Sequence, residues 1–307
     1  MRSNRLYRAR RLAWRLRRSV PRIARPLSRV LPLADPPLSP IFVVGCPRSG
    51  TTLLLDALRA SGELATVQSE GHILWDEFHH PRNHAWGSDA VAPSEIASRE
   101  RAYLYLAIRL FARGGRFVDK TPANCLRVPY LEALFAGATF VFLRRRGADN
   151  VSSLMEGWRA RPRFVRYRLP EPLTGLDELD GDRWSFVLVP GWRELRTASL
   201  EEICAHQYLE CNRAVLDARS ASTASWIDLT YEDLVASPAD EVRRVYGELG
   251  LSFTAAVERF ASELASRRSA TSVTAPQREK WRERNETAIE RVVPQLEAME
   301  RRLGYAT

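Results

Sequence analysis

From Ile41 onward the chain alternates short apolar, β-branched runs with longer stretches whose apolar side chains recur every three or four positions. The runs Ile41–Val44, Arg116–Val118, Thr139–Leu143 and Trp226–Leu229 predict strands. The longer stretches predict helices over 51–61, 94–113, 126–135, 147–158, 199–219, 238–249 and 286–303. Strand-then-helix alternation is the pattern of an α/β domain with a central, mostly parallel sheet flanked by helices. Residues 160–198 break the rhythm. They are rich in Arg, Pro, Gly and Trp and lack periodicity, so they read as an insertion that forms a lid or part of an acceptor pocket.

Composition narrows the class. The 307 residues are 45% hydrophobic, enough for a sizeable core and too apolar for wholesale disorder. No run approaches the roughly 18 apolar residues that a membrane-spanning helix requires. The net charge of +9, from 46 Lys+Arg against 37 Asp+Glu, suggests nucleic acid until it is located. Residues 1–30 hold eleven Arg and no acid, and removing those eleven leaves 35 basic residues against 37 acidic ones. The body is near neutral, so a nucleic-acid partner is not expected.

This divides the chain into a basic leader with a Pro-rich linker over 1–40 (Pro32, Pro36, Pro37, Pro40) and a domain over 41–307. The leader is expected to be partly disordered or peripheral. Leu6, Ala9, Leu12, Ala13, Leu16 and Val20 keep helical spacing among its arginines, which makes 1–30 a candidate for contact with an anionic membrane surface or an acidic partner. No apolar segment of an export signal follows these arginines. Cys46, Cys125, Cys204 and Cys211 form no CxxC pair, as expected of buried free thiols. The expected location is the cytoplasm, with the leader a candidate anchor at the inner face of the membrane.

The sharpest chemical signal is Ile41-Phe-Val-Val-Gly45-Cys-Pro-Arg48-Ser49-Gly50-Thr51-Thr52. A strand, a tight loop and a helix start aim backbone N–H groups and the positive helix end at one point, which suits a phosphate. Gly45 and Gly50 are spaced as in a GxxxxGK[ST] loop, so the domain reads as P-loop-like, but Thr51 stands where the lysine belongs. The cation is Arg48, inside the loop. A second strand ends in Arg144-Arg145-Arg146 and is followed by a helix start carrying Asp149, Ser152 and Ser153. An ATPase offers an acidic residue at such a strand end to organise Mg²⁺. Two separate basic sites suggest a ligand with phosphates at two places. The alternatives are a nucleotide kinase or other phosphotransferase with a degenerate P-loop, with Asp228 as its metal-ligand candidate, and a non-catalytic anion- or nucleic-acid-binding protein.

At these motifs the sequence resembles the sulfotransferases that use 3′-phosphoadenosine 5′-phosphosulfate (PAPS). Cys46-Pro-Arg-Ser-Gly-Thr-Thr-Leu54 is similar to their 5′-phosphosulfate loop, in the Arg form of the tyrosyl-protein and carbohydrate branches. Arg145 and Ser153 have the eight-residue spacing of the 3′-phosphate motif, with Asp149 at its helix-start acid. Tyr231-Glu-Asp-Leu-Val-Ala-Ser-Pro238 resembles the element after a core strand, and Gln277 to Arg282 with Leu303-Gly304-Tyr305 resembles the late segment and ending of bacterial members. The family's late glycine-rich pattern is absent around Arg278 and Lys280. The resemblance implies sulfonyl transfer from PAPS to a hydroxyl or amine, with no metal. The expected acceptor is a small molecule, a lipid or a carbohydrate, and a tyrosyl side chain stays open beside them. It implies that Arg48, Ser49, Gly50, Thr51 and Thr52 hold the phosphosulfate, that Arg145 and Ser153 hold the 3′-phosphate, and that Tyr231 and Lys280 lie beside the nucleotide.

An acceptor hydroxyl needs a general base. Glu70 matches the position of the tyrosyl-protein branch, Asp119 the heparan branch, and His72 has the most suitable ordinary pKa. Lys120, one of only two lysines with Lys280, stands where the family places a cation near the transferred group. His72, Asp76 and His80 share a face if their segment is helical, a pattern that would also suit a metal.

Overall fold

The computed structural model describes residues 20–28, 38–67, 70–112, 115–176, 179–264 and 279–305. Five strands form one parallel sheet: β1 (Ile41–Val44), β2 (Leu64–Ala65), β3 (Arg116–Asp119), β4 (Thr139–Arg144) and β7 (Ser225–Thr230), in the order β2-β3-β1-β4-β7. Each of the four strands read from sequence is present, lengthened by no more than two residues. β2, two residues long, was too short to show a pattern.

The continuous apolar runs follow from burial on both faces. Along β1, Phe42 and Val44 join one core cluster while Ile41 and Val43 join the other. β4 divides likewise, Phe140 and Phe142 against Val141 and Leu143. One face is covered by helices Glu100–Ala112, Gly147–Arg159, Leu200–Ala221 and Glu286–Arg302, the other by Thr51–Leu58, Pro238–Leu249 and Ala255–Ser262. Local chemistry sets the ends. Ser199 and Glu202 form a reciprocal cap, and Pro238 opens its helix while Gly250 closes it at φ 67.

The order places the site. Strand β1 lies between β3 and β4, so the chain leaves the sheet centre in opposite directions on either side of it. In open α/β sheets, ligands bind at such a reversal, outside the carboxyl ends of the strands. The loops after β1 and β4 meet there, because Val44 pairs in register with Phe142.

Three parts depart from the periodicity. The insertion contains an antiparallel pair, β5 (Val165–Arg168) and β6 (Arg183–Ser185), with a register shift between Val165 and Tyr167 that blurs alternation. His72–His79, Tyr231–Ala236 and Ala255–Ser262 are short helices that were not read from the pattern. Within the leader, residues 20–27 are helical and rest on the body through fully buried Ala24 and an ion pair of Arg25 with Glu77 at 3.0 Å. The amphipathic call on 5–20 falls outside the described residues except for Val20, as do Pro32, Pro36 and Pro37 and the segment with Gln277 and Arg278. Among the described residues no helix is long and apolar enough to cross a membrane.

Candidate active site

The loop after β1 is held in a narrow conformational range. Gly50 has φ 103, and a Cβ there would lie 2.7 Å from the Tyr231 ring, so only glycine fits. Arg48, with φ 71, takes a left-handed conformation that costs a non-glycine residue energy. The first intrahelical bond of Thr51–Leu58 runs from Leu54 N to Gly50 O, so the preceding first-turn amides have no intrahelical acceptor. Thr51 and Thr52 line the cavity at this helix start, while Ser49 is buried behind it with a hydroxyl that has no partner.

Of the three arginines at the end of β4, one faces inward. Arg144 pairs with Asp228 at 3.4 Å, and Arg146 lies over the Tyr305 ring at 5.0 Å. Arg145, nearly buried, donates from Nη1 to the Arg48 carbonyl at 3.1 Å and stacks over Tyr231 at 4.1 Å. Its Nε is buried with no partner, and Asp149 is 3.9 Å from Nη2. Arg48 Nε donates to Ser153 Oγ at 3.2 Å, and Asn150 Nδ2 donates to the Pro47 carbonyl at 2.8 Å. The two basic motifs are thus cross-linked side by side. Burial, then the Arg145 charge, lowers the Arg48 pKa to about 10. Lys280 completes this end of the cavity, 3.5 Å from Glu156.

At the other end Lys120 Nζ donates to Glu70 Oε1 at 2.7 Å, and His72 Nε2 meets Glu70 Oε2 at 3.0 Å. Burial pushes the Glu70 carboxyl up, but the His72 hydrogen bond and the Lys120 charge outweigh it and bring the pKa to about 2. All three residues line the cavity. Asp119 does not. It is fully buried and accepts from Trp75 Nε1 at 2.9 Å, Thr121 Oγ1 at 3.1 Å and Asn124 Nδ2 at 2.7 Å. Burial raises its pKa in spite of those bonds. Asp119 fixes the helix that carries His72 rather than facing a ligand.

The metal pattern comes apart in space. The helix ends at His79, Asp76 is paired with Arg166, His72 with Glu70, and His80 Nδ1 accepts from the Arg82 amide. Among the described residues no cluster of His, Cys, Asp and Glu is suited to a metal ion. Asp228, the metal-ligand candidate of the kinase reading, is bound by Arg144 and Arg219. The four cysteines are free and buried.

The cavity, of about 230 Å³, also takes in Asp89, Pro122, Phe164, Arg166, Phe186 and Val187. None of these was a sequence candidate. Their one signal was a pair of aromatic–valine steps, Phe164-Val165 and Phe186-Val187, at either side of the Gly- and Pro-rich middle of the insertion.

A model of the sulfotransferase family matches residues 40–185. The curated "Putative protein-tyrosine sulfotransferase" of Caenorhabditis briggsae is 25% identical over 226 residues, 70% of this chain and 66% of that protein. This chain thus spans just under two thirds of that relative's length. Sulfotransferase STF9 from Mycobacterium avium has a similar fold, with TM-score 0.52 and 15% identity over 89% of this chain and 79% of that one. Mouse sulfotransferase SULT7A1 complexed with PAP is a weaker likeness, with TM-score 0.44 and 13% identity over 84% of this chain and 82% of that one.

Proposed function

We propose that this chain is a sulfotransferase that moves a sulfonate group from PAPS to a hydroxyl or amine of its acceptor, a reading supported by the sulfotransferase family model that matches residues 40–185. One observation carries the choice of donor: two cation-bearing loops on adjacent strands, cross-linked through Arg48, Arg145 and Ser153, with Arg145 Nε buried and unpartnered. An unpaired buried guanidinium nitrogen fits an anion that completes its hydrogen bonding. Arg48, Gly50, Thr51 and Thr52 would hold the phosphosulfate end; Ser49, expected there from the sequence, is fully buried behind the loop with its amide bonded to the Cys46 carbonyl, and supports the loop instead. Arg145 and Ser153 would hold the 3′-phosphate, beside Tyr231 and Lys280. The basic end of β4 argues against Mg²⁺-dependent phosphoryl transfer, which favours a carboxylate there.

The donor supplies an activated sulfonate whose S–O bond to the phosphate breaks as a bond to the acceptor oxygen or nitrogen forms. The chain's task is to position the partners and balance charge. Arg48 and Lys120 meet the negative charge that grows on the departing phosphate oxygen. Glu70 takes the acceptor proton, and His72 orients it. Lys120 links the two roles: as it turns from Glu70 toward the transferred group, the carboxylate loses a cation and gains proton affinity.

Adenosine 3′,5′-bisphosphate is expected to raise the melting temperature well above that of the free protein, and ATP with Mg²⁺ much less. The reverse ranking would sink the proposal.

A further inference from the structure

Phe164 precedes β5 and Phe186 follows β6, so the insertion delivers both rings to one wall of the cavity. The rings stack with centroids 5.1 Å apart and an interplanar angle of 28°. Phe186 has φ 64, a left-handed conformation that is costly for a bulky side chain. Its ring presses on the helix that carries Ser153, at Gly157, where a Cβ would lie 2.3 Å from Phe186 Cζ. On its other side Phe164 supports the Arg48 guanidinium, whose Cζ is 5.1 Å from the ring centroid. Gly157, Phe186, Phe164 and Arg48 therefore form one contiguous stack from the insertion to the phosphate loop.

Most polar groups around this wall are engaged within the protein, although Arg166 Nε and Asp76 Oδ1 are buried without a hydrogen-bond partner. Arg166 is paired with Asp76, and Lys120 with Glu70. Asp89 accepts from Tyr167 Oη at 2.6 Å, the Leu188 amide at 2.7 Å and Arg127 Nη2 at 3.1 Å. Beside them this wall carries the apolar side chains of Pro122, Ala123, Phe164, Val165, Phe186 and Val187. A sugar buried there would leave hydroxyls unpaired at about 1–3 kcal/mol each, whereas an apolar frame loses nothing.

We propose that Phe164 and Phe186 are the acceptor-selecting residues, that they take an alcohol or phenol with an apolar body, and that Phe164 also positions Arg48. This rests on the sulfonyl-transfer reading of the same cavity.

The test uses the full chain saturated with adenosine 3′,5′-bisphosphate. Failure of the bisphosphate to stabilise the protein would count against sulfonyl transfer itself. With it bound, 2-naphthol or 1-octanol should raise the melting temperature further, and glucose should not. Gly157→Ala should remove the increment while keeping the response to bisphosphate. For Arg48, donor cleavage with water as acceptor should fall about three- to thirtyfold in kcat for Phe164→Leu, with KM little changed, and recover in Phe164→Tyr. A glucose response at least equal to the apolar probes, or no response to either apolar probe, overturns the acceptor assignment. Equal rates for wild type and Phe164→Leu overturn the positioning role.

Discussion

Replacing Glu70 with glutamine removes the carboxylate from Lys120, whose side chain is only 2% exposed and whose described polar contact is this one. The amide can accept one hydrogen bond but cannot balance the charge. Breaking a buried pair from one side costs about 3–5 kcal/mol; Glu70 is itself 29% exposed, which puts the expected loss near the lower figure, about 3 kcal/mol at neutral pH. For 307 residues, an unfolding entropy of about 2 cal/mol/K per residue turns this into a fall in Tm of roughly 5 °C. The loss should depend on pH. A carboxyl depressed from 4.5 to about 2 stabilises the fold fully above 4.5, and that stabilisation disappears as pH falls toward 2. The wild-type advantage over Glu70→Gln should therefore shrink across that window. The double variant Glu70→Gln/Lys120→Met removes the stranded cation and should be more stable than Glu70→Gln alone. Thermal melts of the four proteins from pH 7 down to pH 3 form a complete cycle. If Glu70→Gln melts with the wild type, or the double variant melts below it, the ion pair is not the buried, coupled unit described here.

Arg145→Ala should weaken adenosine 3′,5′-bisphosphate by about ten- to a hundredfold in calorimetry, and Arg144→Ala, whose guanidinium is held by Asp228, by less than about threefold. Gly50→Ala has both a strained φ and a 2.7 Å contact with Tyr231, so melting should show a loss of about 1–3 kcal/mol and bisphosphate titration a matching loss of affinity. Asp119→Asn turns an amide N–H₂ toward groups that already donate; it should lower Tm yet leave single-turnover sulfonate transfer by the folded protein within about threefold of wild type, whereas Glu70→Gln should abolish it. For the leader, the full chain should sediment with vesicles containing phosphatidylglycerol and not with pure phosphatidylcholine, more weakly as salt rises; equal sedimentation with both would refute an electrostatic anchor.

The sheet was legible because its strands are buried on both faces, which leaves uninterrupted apolar runs such as Ile41–Val44. The donor end was legible because glycine, arginine and threonine at a strand–helix junction have few other uses. The acceptor end was not. Asp119 and Glu70 are both carboxylates near strand or helix ends, and only the three donors around Asp119 separate an anchor from a cavity residue. Likewise Arg144, Arg145 and Arg146 are equivalent in sequence. Asp228 and Tyr305, far away in the chain, take the two outer ones and leave the middle one to the cavity. Phe164 and Phe186 come together through a bulged pair too short and irregular to alternate.

The cross-linked donor end has an energetic consequence. Arg48 and Arg145 are two cations in a hydrogen-bonded contact, and burial together with the Arg145 charge lowers the Arg48 pKa to about 10. The fold tolerates the repulsion because the Pro47 and Arg48 carbonyls are tied to Asn150 and Arg145, which fixes both loops before any ligand arrives. An anion at either loop relieves the repulsion in part. A ligand with anions at both relieves it fully, and the loops need not reorganise to receive it. Selectivity for a doubly phosphorylated nucleotide then comes from repulsion built into the two loops. On this argument AMP, with one phosphate, should bind far more weakly than the loss of a single surface contact would suggest. Arg48→Met should narrow the gap between AMP and the bisphosphate, because it removes the repulsion together with the contact.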